Sequence, residues 1–148
     1  MREVSRKRQV ELAIICARQV YRELEWDRWS AEWLSDKDRS FDAANKMHLK
    51  MEKKLAPDFI TRFRIKAATH AALGACLFAS DCSMENEGCI IDTLAAIQCA
   101  DWLERWSGGL MLSRKQKNMV NHMTAIWDKS DPLSCPVLSA IGRCGMVN

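Results

Sequence analysis

The stretch AATHAALGACLFA, residues 67–79, consists almost entirely of small or apolar side chains. It continues the sequence PDFITRFRIK, residues 57–66, and the two together form one long helical pattern. A helix that carries small residues on several faces is usually packed on more than one side. We therefore predict that residues 67–79 form the central helix of an all-α protein.

A second alanine-rich segment, TLAAIQCADWL at residues 93–103, has the same character. Small side chains allow two helix axes to approach more closely than the usual ~8–10 Å. No long stretch alternates apolar and polar residues, so strands are not expected. The predicted fold is a bundle of five or six helices, with the alanine-rich helices four and five at its centre.

Helical periodicity predicts three helices before residue 57. The first runs from about residue 3 to residue 25, with Tyr21 and Leu24 on its apolar face. A short second segment contains three tryptophans, and a third helix runs from an N-cap at Asp38 or Ser40 to about residue 55. The core face of the third helix is predicted to consist of Phe41, Ala44, Met47, His48, Met51 and Leu55.

Three further helices complete the prediction. Pro57 suits the first turn of helix four, where its missing N–H is not needed. Helix five spans about residues 89–106. Ser113 and Gln116 have the spacing of a capping box at the start of helix six, which ends near Asp128.

The 148 residues correspond to about one domain, which we place at residues 1–131, followed by a partly irregular extension at residues 132–148. No apolar run approaches the roughly 20 residues of a membrane span. The N-terminus is basic and then apolar, but Glu11, Arg18 and Gln19 interrupt the apolar part, which favours an amphipathic helix over a signal peptide. We expect a cytoplasmic protein that does not bind membranes.

The composition, with 48% hydrophobic and 28% charged residues, is ordinary for a folded domain. A net charge of +3 is too small to identify a nucleic-acid-binding protein by itself. The seven cysteines are odd in number and include no CxxC pair, so we expect buried or incidental free thiols rather than a disulfide framework. No cofactor is predicted.

The element WSAEWLSDKDRS at residues 29–40 is followed by the alanine-rich segments RIKAATHAALGACLFAS, 64–80, and DTLAAIQCADWLERW, 92–106. This order resembles a group of small all-helical bacterial and phage proteins, some of which are immunity proteins of polymorphic toxin systems. The likeness covers about residues 26–106. It implies a helical fold and a role in neutralising another protein, and it assigns no functional residue.

Trp26, Trp29 and Trp33 have the spacing of one helix face, although many charged residues surround them. Either the rings pack inward or some remain exposed as anchors for a partner, and the spacing favours the inward arrangement. In both cases the charged rim suits a protein partner. The predicted contact face comprises Trp26, Trp29, Trp33, Asp36, Asp38 and Arg39, together with the polar loop at residues 81–88.

A second candidate surface is basic. Seven positive charges occur within residues 46–66, namely Lys46, Lys50, Lys53, Lys54, Arg62, Arg64 and Lys66. Such a stripe can neutralise phosphates, so an association with nucleic acid is an alternative function. The simpler interpretation is the solvated face of amphipathic helices, since the arginine–aromatic alternation of a stacking platform is missing.

Catalytic signatures are weak. His70 is expected to be a neutral, packed imidazole bonded to a backbone carbonyl or a hydroxyl, with a general base as the alternative. Cys82 and Cys89 bracket an acidic loop that could hold zinc, which leaves a small metal-dependent enzyme as a further alternative. No P-loop, dinucleotide-binding or nucleophile-elbow motif is present.

The leading hypothesis is a non-enzymatic interaction protein that binds another protein by surface complementarity, as an immunity or phage-type inhibitor would. The sequence does not identify the partner, and a homodimer also remains open.

Overall fold

The protein is described by a computed structural model that covers residues 5–80, 86–105 and 109–130, with side chains for all of these except 86–91 and 126–130. The described residues form six helices: α1 (Arg6–Val20), α2 (Leu24–Leu34), α3 (Phe41–Glu52), α4 (Phe59–Ala79), α5 (Asn86–Glu104) and α6 (Arg114–Ser130). No strand occurs in the described part of the chain. The predicted all-α bundle is confirmed, while the predicted extension at 132–148 lies outside the described residues.

Helices α4 and α5 form the centre of the bundle, as predicted. They pack most extensively against each other, and both also pack against α1. Helix α3 covers another side of α4, whereas α6 contacts α5. The alanines of the two central helices are fully buried at Ala67, Ala68, Ala71, Ala72, Ala75, Ala95, Ala96 and Ala100.

The two central helices approach each other closely at Gly74. A Cβ atom placed on Gly74 would lie 2.8 Å from Cγ2 of Thr93, which is fully buried in α5. Real side chains do not come so close, so glycine is required at the present distance between the helices. The small residues of the alanine-rich segments therefore determine how near α4 and α5 can lie.

The starts of α3 and α4 follow from side-chain caps. The hydroxyl of Ser40 accepts a hydrogen bond from the amide of Ala43 at 3.2 Å and begins α3. Asp58 accepts one from the amide of Thr61 at 2.7 Å, and this bond holds the pKa of Asp58 below its usual value. Because Asp58 is the cap, α4 begins at Phe59, and the prediction that Pro57 lies in its first turn is wrong.

The predicted capping box of α6 is confirmed. The amide of Ser113 donates to Oε1 of Gln116 at 2.8 Å, and the amide of Gln116 donates to the hydroxyl of Ser113 at 3.1 Å. Each side chain thus satisfies a backbone N–H that the helix itself leaves free.

The prediction of one helix to residue 25 is wrong, because α1 ends at Val20 and Tyr21 has an extended backbone with φ of −133°. Arg64 of α4 donates from Nη1 to the carbonyl oxygen of Val20 at 2.8 Å and satisfies one of the carbonyls at the helix end. Leu24, predicted to face the core, begins a new helix and is 75% exposed.

The tryptophan face of α2 packs inward, as its spacing predicts. Trp26 and Trp33 have no exposed surface and Trp29 is 6% exposed. Ring contacts join Trp26 to Trp29 at 5.3 Å and Trp33 to Phe78 of α4 at 5.9 Å between centroids. The indole N–H groups of these three tryptophans have no partner among the described residues, so the rings contribute through apolar packing.

Two members of the predicted core face of α3 are solvent exposed. Leu55 is 94% exposed, because α3 ends at Glu52 and Leu55 lies in the connection to α4. Phe41, the first residue of α3, is 44% exposed. The remaining members of that face, Ala44, Met47, His48 and Met51, are buried as predicted.

We expect Gly74→Ala to destabilise the protein. In the interior of a helix, alanine is normally more favourable than glycine by about 1 kcal/mol. Here the added methyl group meets Thr93, and overpacking of a tight core costs about 1–3 kcal/mol. Chemical denaturation should show a lower free energy of unfolding for the variant.

The double variant Gly74→Ala, Thr93→Ser tests the cause of that loss. Serine lacks the Cγ2 methyl group that the new side chain would strike but keeps the hydroxyl. Stability should therefore recover relative to Gly74→Ala alone. A double variant as unstable as the sum of the two single changes would contradict a direct contact between these positions.

Candidate functional site

Ion pairs attach the start of α2 to the end of α3. Nζ of Lys54 lies 2.6 Å from Oε2 of Glu23, and Nζ of Lys50 lies 3.9 Å from Oε1 of the same carboxylate. Lys50 also pairs with Glu25. The tryptophan segment and the lysine stripe, which the sequence presents as two separate candidate surfaces, therefore meet along one edge.

The titration of these groups reflects their pairing. The hydrogen bond to Glu23 raises the pKa of Lys54 above its usual value, and Lys50 lowers the pKa of Glu25. Burial raises the pKa of the neighbouring Tyr21 hydroxyl. Lys50 and Lys54 are therefore both already paired with carboxylates.

A groove with a volume of about 360 Å³ runs between α2 and α3. This α2–α3 groove is lined by Glu25, Arg28, Trp29 and Glu32 of α2 and by Ala43, Lys46, Met47 and Lys50 of α3. Trp29 and Met47, both largely buried, supply its apolar lining. Its volume lies near the lower end of the about 300–1,000 Å³ typical of ligand pockets.

Three charged side chains of the groove are unpaired. Arg28, Glu32 and Lys46 form no ion pair and no side-chain hydrogen bond with the residues that the structure describes. Arg28 and Lys46 are exposed, and Glu32 is half-buried. The groove therefore combines an apolar lining with charges that are available to a partner.

Sequence reasoning named Lys46 as part of the basic stripe but did not single out Arg28 or Glu32. A weak signal was present, because the two are four residues apart and share a helix side near Trp29. Their relation to Lys46 depends on the packing of α2 against α3, which helical periodicity does not report.

The charged residues of the predicted contact face make contacts within the turn that follows α2. Asp36 has a positive φ of 63°, and the amide of Lys37 donates to the carbonyl of Glu32 at 2.8 Å, as at many helix ends. Arg39 donates from Nε to the carbonyl of Trp33 at 2.8 Å and stacks over its ring at 4.3 Å. Asp38 accepts a hydrogen bond from the amide of Ser40, and hydrogen bonding to the side chain and the amide of Ser40 lowers the pKa of Asp38.

These contacts change the role expected for the predicted contact face. The three tryptophan rings are buried and offer no exposed anchor. Arg39 and Asp38 stabilise the turn, whereas Asp36 remains exposed and forms an ion pair of 3.4 Å with Arg39. The groove beside these residues, rather than the rings, is the available surface.

Several residues of the basic stripe also contact other groups of the protein. Besides the paired Lys50 and Lys54, Arg64 is bonded to the end of α1, and Nζ of Lys66 lies 5.6 Å from the centroid of the Phe63 ring. The other members of the stripe, Lys46, Lys53 and Arg62, are exposed. The stripe therefore presents less free positive charge than the seven residues suggest.

His70 lies between the two central helices. Its Nδ1 is 3.0 Å from Oδ1 of Asp92, so its partner is a carboxylate rather than the backbone carbonyl or hydroxyl expected from the sequence. The imidazole is 25% exposed rather than fully packed. A His–Asp pair can orient a general base, but catalysis also needs a nucleophile.

The buried thiols are poorly suited to serve as that nucleophile. Burial, with a contribution from the charge of Asp92, raises the pKa of Cys76 to about 11. Burial, with a contribution from Asp101, raises the pKa of Cys16 to about 12. A reactive cysteine requires a lowered pKa, so both thiols remain protonated and unreactive at neutral pH.

The side chains of Cys82, of Cys89 and of the whole predicted polar loop at residues 81–88 lie outside the described part of the structure. The backbone of residues 86–88 is described and is helical, because α5 begins at Asn86. Within the described part of the chain, no group of three or more His, Cys, Asp or Glu side chains is arranged to hold a metal ion. None of the helices there has the length and apolar character that crossing a bilayer requires.

Comparison of the chain with protein-family models, with curated proteins and with solved structures found no match. The resemblance to immunity proteins, and the neutralising role that it implies, therefore stay predictions.

Substitution of Asp36 should test the conformation of the turn beside the groove. We expect Asp36→Gly to be at least as stable as the wild type, because glycine adopts a positive φ without strain. Asp36→Val should lose about 1–2 kcal/mol, since a β-branched residue is poorly accommodated there. Urea denaturation of the three proteins gives this order, and a valine variant as stable as the glycine variant would contradict it.

The pairing of Lys54 with Glu23 should appear as a pH-dependent stability. Because the pKa of Lys54 is raised in the folded protein, its stabilisation is complete below the ordinary value of 10.5 and is lost as the pH rises through the folded-state pKa. We expect Lys54→Met to cost about 0.5 kcal/mol at pH 8 and less at pH 11.5. Urea denaturation at both pH values measures this difference.

Lys53→Met is the matched control, because Lys53 is an exposed neighbour with no ion pair to a described residue. Its effect on the free energy of unfolding should be small at both pH values. Equal losses for the two methionine variants, or a loss for Lys54→Met that does not shrink at high pH, would contradict the assigned pairing.

Proposed function

We propose that the protein is a non-enzymatic interaction protein that binds a partner protein in the α2–α3 groove. The observation that carries this proposal is an apolar lining of Trp29 and Met47 beside charges that have no ion pair with any described residue, namely Arg28, Glu32 and Lys46. Protein interfaces commonly pair a buried apolar centre with a polar rim.

Rigidity of the groove supports this proposal. On the α2 side, the tryptophan rings are packed into the core, and Arg39 fixes the helix end through Trp33. On the α3 side, Ala44 and Met51 are fully buried. A surface whose walls are held in place loses little conformational freedom when a partner binds, which favours affinity.

The chemistry of the described residues gives less support to an enzyme. His70 and Asp92 form a histidine–aspartate hydrogen bond, but the buried thiols of Cys16 and Cys76 have raised rather than lowered pKa values. An inhibitor role of the immunity-protein type is compatible with a rigid binding groove, and its support is the resemblance of residues 26–106.

Nucleic-acid binding is the second candidate function, and the exposed Lys46, Lys53 and Arg62 are the observation in its favour. The carboxylates of Glu23 and Glu25 beside Lys50 and Lys54 count against it, because they would repel a phosphate backbone. Binding of duplex or single-stranded oligonucleotides that falls steeply with salt would favour this candidate.

The test uses tagged wild-type protein and two tryptophan variants as baits in extracts of the native host. Ala43→Trp places a large side chain in the groove, whereas Ala31→Trp places the same side chain on the exposed surface of α2 outside the groove lining. A partner that binds the groove should be retained by the wild type and Ala31→Trp and lost with Ala43→Trp. Titration calorimetry with the purified partner should reproduce this order.

Circular dichroism and thermal melting must first show that both variants fold. Ala43 is partly packed against the core, so the smaller change Ala43→Leu replaces Ala43→Trp if the larger side chain prevents folding. The proposal fails if every protein partner binds the groove-filled variant as tightly as it binds the wild type, or if only nucleic acid is retained.

A further inference from the structure

We propose that the α2–α3 groove recognises an acidic segment of its partner that carries an apolar anchor residue. This inference rests on the proposed function, since it specifies the chemistry of the protein segment that the groove binds. The recognised group is a pair of carboxylates flanking a large apolar side chain.

The balance of charges in the groove favours an acidic segment. Lys50 and Lys54 pair with Glu25 and Glu23, two cations with two carboxylates, so these four groups together contribute little net charge. The remaining cations, Arg28 on the α2 wall and Lys46 on the α3 wall, outnumber the single unpaired carboxylate of Glu32. A segment with carboxylates on both sides could therefore pair with both walls at once.

The lining between the two cations favours an apolar anchor. Trp29 and Met47 are 6% and 7% exposed, and Ala43 leaves space beside them. A thioether and an indole ring both pack well against leucine, methionine or aromatic side chains. The volume of about 360 Å³ is sufficient for a large side chain but not for a folded element of a partner.

Removal of the Glu32 charge should have the opposite effect on binding from removal of the Arg28 and Lys46 charges. It lies four residues after Arg28 on the same helix and is unpaired, so it repels an incoming carboxylate and competes for the guanidinium group. Removal of its charge should strengthen the binding of an acidic segment. A groove that selects basic segments would show the reverse dependence.

The probes are three pools of fluorescein-labelled 12-residue peptides, whose randomised positions contain glutamate and leucine, lysine and leucine, or glutamate and serine. Fluorescence anisotropy with the wild-type protein should show about tenfold tighter binding of the glutamate–leucine pool than of either other pool. The double variant Arg28→Gln, Lys46→Gln should weaken that binding about fivefold, whereas Glu32→Gln should strengthen it about twofold.

The matched control is the double variant Lys115→Gln, Lys117→Gln, which removes two exposed lysines of α6 and the same net charge as the groove variant. Its affinity for the glutamate–leucine pool should equal that of the wild type. A loss equal to that of the groove variant would show a response to net charge alone and would overturn the inference.

Three other results also overturn the inference: equal affinity for all peptide pools, no binding of the glutamate–leucine pool, or displacement of that pool by a single-stranded thymidine oligonucleotide at lower concentration than by unlabelled peptide. After either of the first two results, the proposed function still stands if a native partner is retained by Ala31→Trp and lost with Ala43→Trp. Failure of the proposed function is recognised by that separate experiment.

Discussion

Contact between Gly74 of α4 and Thr93 of α5 limits how near the two central helices can lie, and the rest of the bundle packs around this pair. Because the axes of the two helices lie close together, small side chains fill the space between their alanine-rich faces. Helix α1 then packs across both, and α3 packs against α4. An increase in this distance would open the core between α4 and α5 and beneath α1, which packs on both.

Helix α2 is attached to this core in a different way. Its backbone makes few close approaches, and large indole rings fill the space between it and its neighbours. Trp33 contacts Phe78 of α4 and supports Arg39, so the end of α2 is fixed by a ring and a cation. The same inward orientation of the rings places the charged residues of α2 beside α3, where they form the groove.

The charge that the groove presents to a partner depends on which of its side chains are already paired. The carboxylates of Glu23 and Glu25 neutralise Lys50 and Lys54 at one end, which removes part of the positive field that a phosphate backbone would require. Arg28 and Lys46 have no ion pair within the part of the chain that the structure describes, and they flank an apolar lining. This arrangement is the physical basis for preferring a protein segment, and an acidic one in particular, over nucleic acid.

The sequence by itself determined the helical class, the two central helices and the inward face of α2, because small-residue content and helical spacing are local properties that largely decide which side of a helix is buried. The tertiary structure decided where α1 ends, which lysines are neutralised and which partner His70 has. These features depend on Arg64 reaching Val20, 44 residues away, on Lys54 reaching Glu23, 31 residues away, and on Asp92 lying opposite His70. Local periodicity carries no information about contacts between distant helices, so only their packing could reveal the groove.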